Sequence, residues 1–449
     1  MVKFLKITAA IFVLLLIFFV GTFKYRQYKG NRLLIPANVS GLIKINTDEI
    51  YKSIGLNMVS NLGYYLKSGE KKISNIEAKN FDTGLDVPAA LYFYTIAGKS
   101  NDLLFSRLEI KDSVAFKNFI TKALSLNPVK NIGNGTYTTS SKDNRLSISY
   151  NKTAVALSYS FRTEDSEQLR LDILNQKNFI KVSQSNFNKV NDYRDHILFT
   201  NQENLSKLNF NSGNIDFSHE FTTKILIPGE KPSHRVFNTD NTMTFWLNAR
   251  LEKTGNKLFK LNDFTVERDS ILKYYKDYLD VEWTNSTQQV DSVITYDYND
   301  DFEKVEKITL QKHDVPNLII NIAANPNGLK NYLQQQNFII ADRNIVNKAV
   351  FPLYKLFVRN ERKNLIFSTQ KNQRIIFEQA QASDFFYLNV NFTKLNKQIS
   401  LPIFSNQVKS VKTLEVKGKA MGNNKVKIEG ELKLVNQDIN ALYQLLKLF

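Results

Sequence analysis

Two runs near the C-terminus alternate apolar and polar residues without a break. Leu414, Val416, Gly418 and Ala420 fall on one face and Glu415, Lys417 and Lys419 on the other. The return run places Val426, Ile428, Gly430, Leu432 and Leu434 on the first face and Lys427, Glu429, Glu431 and Lys433 on the second. A period of two predicts a half-buried antiparallel hairpin. Charge selects a register: with Gly422 opposite Val426 across Asn423, Asn424 and Lys425, Lys419 faces Glu429, Lys417 faces Glu431 and Glu415 faces Lys433. The opposed Gly418 and Gly430 imply close approach by a covering helix. That helix is assigned to the terminus, with Asn436 as cap and Ile439, Leu442, Tyr443, Leu446 and Phe449 as its stripe.

Just before this hairpin, Phe385 to Asn391 reads as a strand and Phe392 to Ile399 as a helix. The same order opens the chain. Gly41 to Asn46 is strand-like, Thr47 caps a helical pattern through Ile50, Ile54 and Leu56, and strands Ala90 to Ala97 and Leu103 to Ile110 flank a turn at Gly98. Asp112 then caps a helix carrying Val114, Phe116, Phe119 and Ile120. A meander follows over Thr136 to Thr139, Leu146 to Tyr150 and Ala154 to Tyr159, and then a helix with Leu169, Leu171, Ile173 and Leu174.

The middle is looser. It reads as a strand at His196 to Thr200, a helical turn at Glu203 to Leu208, strands at Thr242 to Leu251 and Leu258 to Glu267, and a helix at Ile271 to Leu279. Short strands then fit Val290 to Tyr298, Val305 to Lys312 and Leu318 to Ala323, with Asn325-Pro326 starting a helix. The expected fold class is α+β: repeated strand-helix-hairpin-helix units, with helices packed on one face of antiparallel sheets, behind an N-terminal transmembrane helix. The expected segments are 1–32 (anchor and basic linker), 33–185, 186–383 and 384–449.

The transmembrane expectation rests on Ile7 to Phe23, ITAAIFVLLLIFFVGTF, in which Ile7, Phe12, Leu15, Phe18 and Phe23 mark the apolar run. Seventeen residues make a helix of roughly 25 Å against a hydrocarbon core of roughly 30 Å. Lys3 and Lys6 precede it, and Lys24, Arg26, Lys29 and Arg32 follow. A cleavable signal peptide is the competing reading. The run exceeds a usual apolar centre, and Val20-Gly21-Thr22-Phe23 lacks a small-residue cleavage site. Counting Lys and Arg favours a cytoplasmic C-terminal flank, but long domains translocate largely regardless of charge. The expected placement is therefore a single-pass membrane protein, N-terminus cytoplasmic, domain on the periplasmic or outer side.

Composition changes this picture little. A hydrophobic content of 43% with 12% aromatics is that of a globular chain. Of the net charge of +17, six positives lie in the first 32 residues, which hold no acid, so the remainder carries +11. No basic run is interleaved with aromatics, so nucleic acid is not an expected partner. Zero cysteine excludes disulfides, thiolate chemistry and lipid attachment through cysteine.

Candidate chemistry is sparse. His196, His219, His234 and His313 are scattered, and His219-Glu220 meets Thr223 where a zinc helix needs a second histidine. Asp297, Asn299 and Asp301 match the start of a calcium loop, but Phe302 and Ile308 stand where Gly and Glu are required. Gly133-Asn134-Gly135 is a turn, and no Gly-x-Ser-x-Gly occurs. Arg359, Arg362, Lys363 and Arg374, with Lys371, form the densest basic group outside the N-terminus, read as exposed turns ahead of an anion site. No catalytic, metal or cofactor residues are expected.

The basic N-terminus and apolar run, Leu34-Ile35-Pro36 leading into a strand, Phe81 to Val87 (FDTGLDV) before a hairpin, and Gly430 to Leu446 (GELKLVNQDINALYQLL) together resemble the uncharacterised single-anchor envelope proteins common in Bacteroidetes. Members are often attached through a lipidated cysteine, which is absent here, so the mode of attachment departs. The expected function is a non-catalytic envelope protein binding a partner protein or envelope polymer. The alternative is a lipid or apolar-ligand binder at the membrane surface, prompted by 32 Phe and 20 Tyr, and a cryptic hydrolase stands third.

Overall fold

The structure is a computed structural model. It describes Arg26 and residues 33–70, 82–162, 164–255, 257–261, 264–298, 302–398 and 408–447. The chain divides into two compact units, Met1–His219 with Asp438–Leu446, and Glu220–Gln437 with Lys447–Phe449.

In the first unit an antiparallel sheet runs in the order Asn204–Phe210, Ile197–Asn201, Val39–Ile45, Leu91–Ile96, Leu103–Ile110, Ala154–Ser160, Leu146–Tyr150, Thr136–Ser140, Lys130–Gly133. Leu85–Asp86 lies beside the end of Leu103–Ile110. One face buries Leu42, Tyr92, Tyr94, Phe105 and Leu198 against Ile35 and against Ile173 and Leu174 of the helix Glu167–Leu174. A second cluster gathers Ile110, Phe116, Ile120, Ile148 and Tyr150. Asp112 caps the helix Ser113–Asn118, its Oδ1 accepting from the backbone N–H of Val114 (2.9 Å) and Ala115 (3.0 Å).

In the second unit, Met243–Leu251 pairs on one side with Phe386–Asn391 and on the other with Tyr275–Tyr298. Phe386–Asn391 continues to the hairpin of Val411–Gly422 and Lys425–Leu434. Tyr275–Tyr298, a strand of 24 residues, pairs with Lys304–Ala324, which continues to Asn364–Ser368 and Phe357–Glu361. The helix Pro326–Gln335, capped by Asn325 with Pro326 at its first position, buries Leu329 and Leu333 against Ile339, Val358, Leu365 and Phe367.

The α+β expectation is corrected: the described residues are mostly β, with 48% in strands and 20% in helices. Two expected helices are strands. The helical turn expected at Glu203 to Leu208 is instead the strand Asn204–Phe210, the return strand of a hairpin with Ile197–Asn201. The helix expected to Leu279 stops at Leu272, and Tyr278 to Trp283 instead pair with Asn248 to Met243. Ladder hydrogen bonds and half-burial on a sheet override the weak helical spacing of these segments. The three short strands expected between Val290 and Ala323 are parts of two long ones.

A second correction concerns the membrane. Among the described residues no helix is long and apolar enough to cross a bilayer, against the expected transmembrane signal-anchor. The expected span, with Ile7, Phe12, Leu15, Phe18 and Phe23, lies outside the described residues.

The closing hairpin has the expected faces and a different register. Lys417 faces Glu429, Glu415 faces Glu431, and Lys419 faces Lys427. Gly422 pairs with Lys425, leaving a two-residue loop of Asn423 and Asn424, both left-handed at φ 52° and 59°. That is the turn whose twist suits a hairpin, and it outweighs exposed charge pairing. The charges pair along each strand instead: Lys417 with Glu415 (3.1 Å), Lys427 with Glu429 (2.6 Å), Lys433 with Glu431 (3.1 Å). What approaches Gly418 is strand, not helix. A Cβ there would lie 2.8 Å from Phe386 Cβ and 2.9 Å from Ile428 Cδ1.

The final helix, Ala441–Leu446, belongs to the first unit. Its cap is Asn440, whose Oδ1 accepts from Leu442 N–H at 3.0 Å while Nδ2 donates to Ser53 Oγ and Phe210 O, both at 3.0 Å. Asn57 donates to Asp438 O (2.8 Å) and accepts from Asn440 N–H (2.8 Å).

Candidate functional site

The strand Leu103–Ile110 breaks its own alternation. Leu103 and Phe105 are fully buried, and the next two residues of the same parity are Arg107 and Glu109. Beside it, Leu91–Ile96 turns Tyr92 and Tyr94 inward, with Tyr94 opposite Phe105. The buried face thus runs from an apolar core into charge without an intervening loop.

A cleft of about 540 Å³ opens at this transition, within the usual range for small-ligand sites. Its walls are mostly apolar: Leu33, Leu34, Val87, Pro88, Ala90, Leu91 and Leu108, with Tyr92 and Tyr94. Arg107, Glu109, Asp86, Gln176 and Arg26 supply the polar part. A second pocket, also about 540 Å³, shares Asp86, Arg107 and Glu109 and extends to Lys111 and Thr153. Arg107 therefore stands where an apolar chamber meets a polar one.

Three polar groups decide what the cleft can hold. The Tyr94 side chain is 2% exposed and, among the described residues, its hydroxyl has no hydrogen-bond partner. Burial holds its phenol well above the usual pKa, with Arg107 pulling weakly the other way, so it stays neutral and keeps a proton to donate. Arg107 donates from Nε to Leu174 O (3.2 Å), a carbonyl at the C-terminal end of its helix. Burial lowers its pKa, and Glu109 and Tyr94 partly restore it. Among the described residues no carboxylate lies within ion-pair distance of its guanidinium. Arg26 is committed to Asp48, donating from Nε and Nη2 at 3.0–3.2 Å, and to Val87 O at 3.1 Å.

Among the described residues the lining offers guanidinium, phenol, amide and carboxylate groups around an apolar wall, and no histidine, serine or cysteine. Such a set holds and orients an amphiphile. It contains no nucleophile with an adjacent base.

The basic group of the sequence reading lies in the other unit. Arg359 donates to Glu361 (3.1 Å) and Ser368 Oγ (3.0 Å), and Arg362, at the hairpin turn, stacks over Phe377 at 4.7 Å. Lys363 and Arg374 are exposed. Each histidine has its own local role: His196 Nδ1 accepts from Phe210 N–H (2.9 Å), His219 Nδ1 meets Ser206 Oγ (2.8 Å), His234 stacks on Trp246 (5.0 Å), and His313 lies 3.6 Å from Asp291. Among the described residues no group of three or more His, Cys, Asp or Glu converges as a metal set. Asp297 pairs with Lys307 at 3.2 Å, while Asn299 and Asp301 lie outside the described residues.

The sequence matches no protein-family model and no curated protein. Among solved structures it is similar to TP0453. Crystal form I aligns at 8% identity over 74% of this chain and 89% of that one, with a TM-score of 0.23. Form III aligns at 9% identity over 75% and 90%, also at 0.23. Form IV aligns at 8% identity over 78% and 93%, at 0.22. At these scores the likeness carries no argument about fold or function.

Tyr94 and Arg107 were not singled out from the sequence. The available signal was the same-parity series Leu103, Phe105, Arg107, Glu109, in which charge appears on the face that buries the core.

Proposed function

We propose that this chain is a non-catalytic binding protein for an amphiphile, taking an apolar chain along the cleft of the first unit and an anionic head group at Arg107 and Tyr94. One observation carries the reading: a neutral, buried hydroxyl without a hydrogen-bond partner beside a guanidinium without a carboxylate partner, both among the described residues, at the end of an apolar wall. Leaving a buried hydroxyl unsatisfied costs roughly 1–3 kcal/mol, and a ligand oxygen between Tyr94 and Arg107 recovers it. The geometry thus favours lipid or apolar-ligand binding over recognition of a partner protein or envelope polymer. In the envelope setting implied by the family resemblance, fatty acids and lysolipids fit this description.

The test is extraction of the purified full-length chain with organic solvent and mass spectrometry of what is released. Titration of the delipidated chain with a fluorescent fatty-acid analogue follows. Uptake of the analogue, weakened in Tyr94→Phe and Arg107→Gln, is the expected result. No released lipid together with no uptake would sink the proposal.

A further inference from the structure

The long strands Tyr275–Tyr298 and Lys304–Ala324 leave their sheet partners at Trp283 and Ile319 and continue as a two-stranded ribbon. Directly opposed residues share a face. Toward its base the odd-numbered face of Tyr275–Tyr298 is covered: Gln289 Nε2 donates to Lys355 O (2.8 Å) and Thr369 O (2.7 Å), and Asp291 pairs with Lys355 (2.7 Å). The opposite face is open. Its rows, from base to tip, are Gln288 with Asp314, Val290 with Lys312, Ser292 with Leu310, Ile294 with Ile308, Tyr296 with Glu306, and Tyr298 with Lys304. Val290, Ile294, Tyr296, Ile308 and Leu310 are 43–70% exposed. An isolated ribbon with a bare apolar face is marginal in water.

We infer that this face is covered by the same face of a second copy, the two ribbons packing antiparallel about a two-fold axis between the Leu310 and Ile308 rows. Symmetry then sets Leu310 over the partner's Ile308 and Val290 over the partner's Tyr296. The charges select this register. Lys312 lies over the partner's Glu306, and Asp314 over the partner's Lys304, each pair occurring twice. A shift of one row either way sets Asp314 against Glu306 or Lys312 against Lys304. Among the described residues Lys312, Glu306 and Asp314 make no ion pair within the chain, and Lys304 lies over the Tyr296 ring at 4.2 Å. Face-to-face packing of these rows covers on the order of 1,000 Å² in total, at the threshold of a specific interface. A lipid surface suits the face less well, because Glu306 and Asp314 stand on it and Asp297 and Glu303 lie near its tip.

Sedimentation equilibrium of the full-length chain tests this. The wild type is expected to be dimeric and Ile308→Asp monomeric, with an unchanged circular dichroism spectrum. Lys312→Glu and Glu306→Lys are each expected to raise the dissociation constant about tenfold, because every reversal counts twice. The double reversal is expected to restore it. The two positions are six residues apart on one strand, roughly 20 Å, so rescue can only come from pairing between copies. A monomeric wild type, a double reversal no better than the singles, or binding of phosphatidylglycerol vesicles that Ile308→Asp abolishes would each overturn the inference.

Discussion

Replacing Tyr94 by Phe separates structure from binding, because the two readings of its hydroxyl predict opposite signs. The side chain is 2% exposed, its ring is part of the core around Phe105 and Leu198, and its oxygen has no partner. Removing the oxygen keeps the ring and deletes an unsatisfied polar atom, so the ligand-free protein should gain about 1–3 kcal/mol. For a unit of roughly 200 residues that corresponds to a rise in melting temperature of about 2–12 °C. The same change removes a donor to the charged head group, worth about 1.5–3 kcal/mol, so the dissociation constant should rise roughly 10- to 100-fold. Differential scanning calorimetry of delipidated protein and titration with a fluorescent fatty-acid analogue read the two effects. A lower melting temperature would mean the hydroxyl is already satisfied in the free protein. Unchanged affinity would remove it from the site.

Three further outcomes follow from other parts of the molecule. In the second unit Arg235, 2% exposed, is held between Asp280 (2.9 Å) and Glu282 (2.8 Å); burial alone would lower its pKa, and the two carboxylates together overcome that. Arg235→Met strands both acids and should cost about 3–5 kcal/mol in chemical denaturation; a loss below ~1 kcal/mol would show that the cluster relaxes to water. Lys44 in the first unit donates to Val190 O (3.1 Å) and Tyr193 O (3.3 Å), and burial, aided by Arg194, lowers its pKa to about 8. Between pH 8 and its ordinary value the unfolded chain holds a proton that the folded one has released, so this group adds stability as pH rises through that window. Lys44→Met should flatten that rise in urea midpoints, and an unaltered slope would refute the assignment. Finally, deleting residues 438–449 should lower the stability of the first unit through the lost bonds of Asn440 to Ser53, Phe210 and Asn57, while leaving the closing hairpin of the second folded; exchange protection of Val39–Ile45 amides would report it, and unchanged protection would contradict it.

Local chemistry was legible wherever it acts within a few residues. Asp112 was readable as a cap, and Asn325-Pro326 as a helix start, because a side-chain acceptor two or three residues before a free N–H needs nothing from elsewhere. The two faces of the closing hairpin were readable because period two is a property of the strand itself. Its register was not, since a slip of two residues keeps every side chain on its face. The positive φ of Asn423 and Asn424 decided between registers that the hydrophobic pattern cannot distinguish.

The remainder depended on contacts between distant residues. Tyr278 to Trp283 became strand because Met243 to Asn248 lay alongside, and Asn204 to Phe210 because Ile197 to Asn201 did. Asp438–Leu446 joined the first unit because Asn57 supplies both a donor and an acceptor to its backbone across 380 residues of chain. The cleft has the same origin. Tyr94 and Arg107 are ordinary members of two strands until the helix end at Leu174 and the segment at Leu33 close around them. By itself the sequence determined which faces of the closing hairpin are apolar and where the helices after Asp112 and Asn325 start, since those depend on spacing along the chain; the expected caps Thr47 and Asn436 give way to Asn46 and Asn440. Strand partners, register and the unpaired groups of the cleft were decided only in the tertiary structure, because hydrogen bonds and burial between remote segments set them.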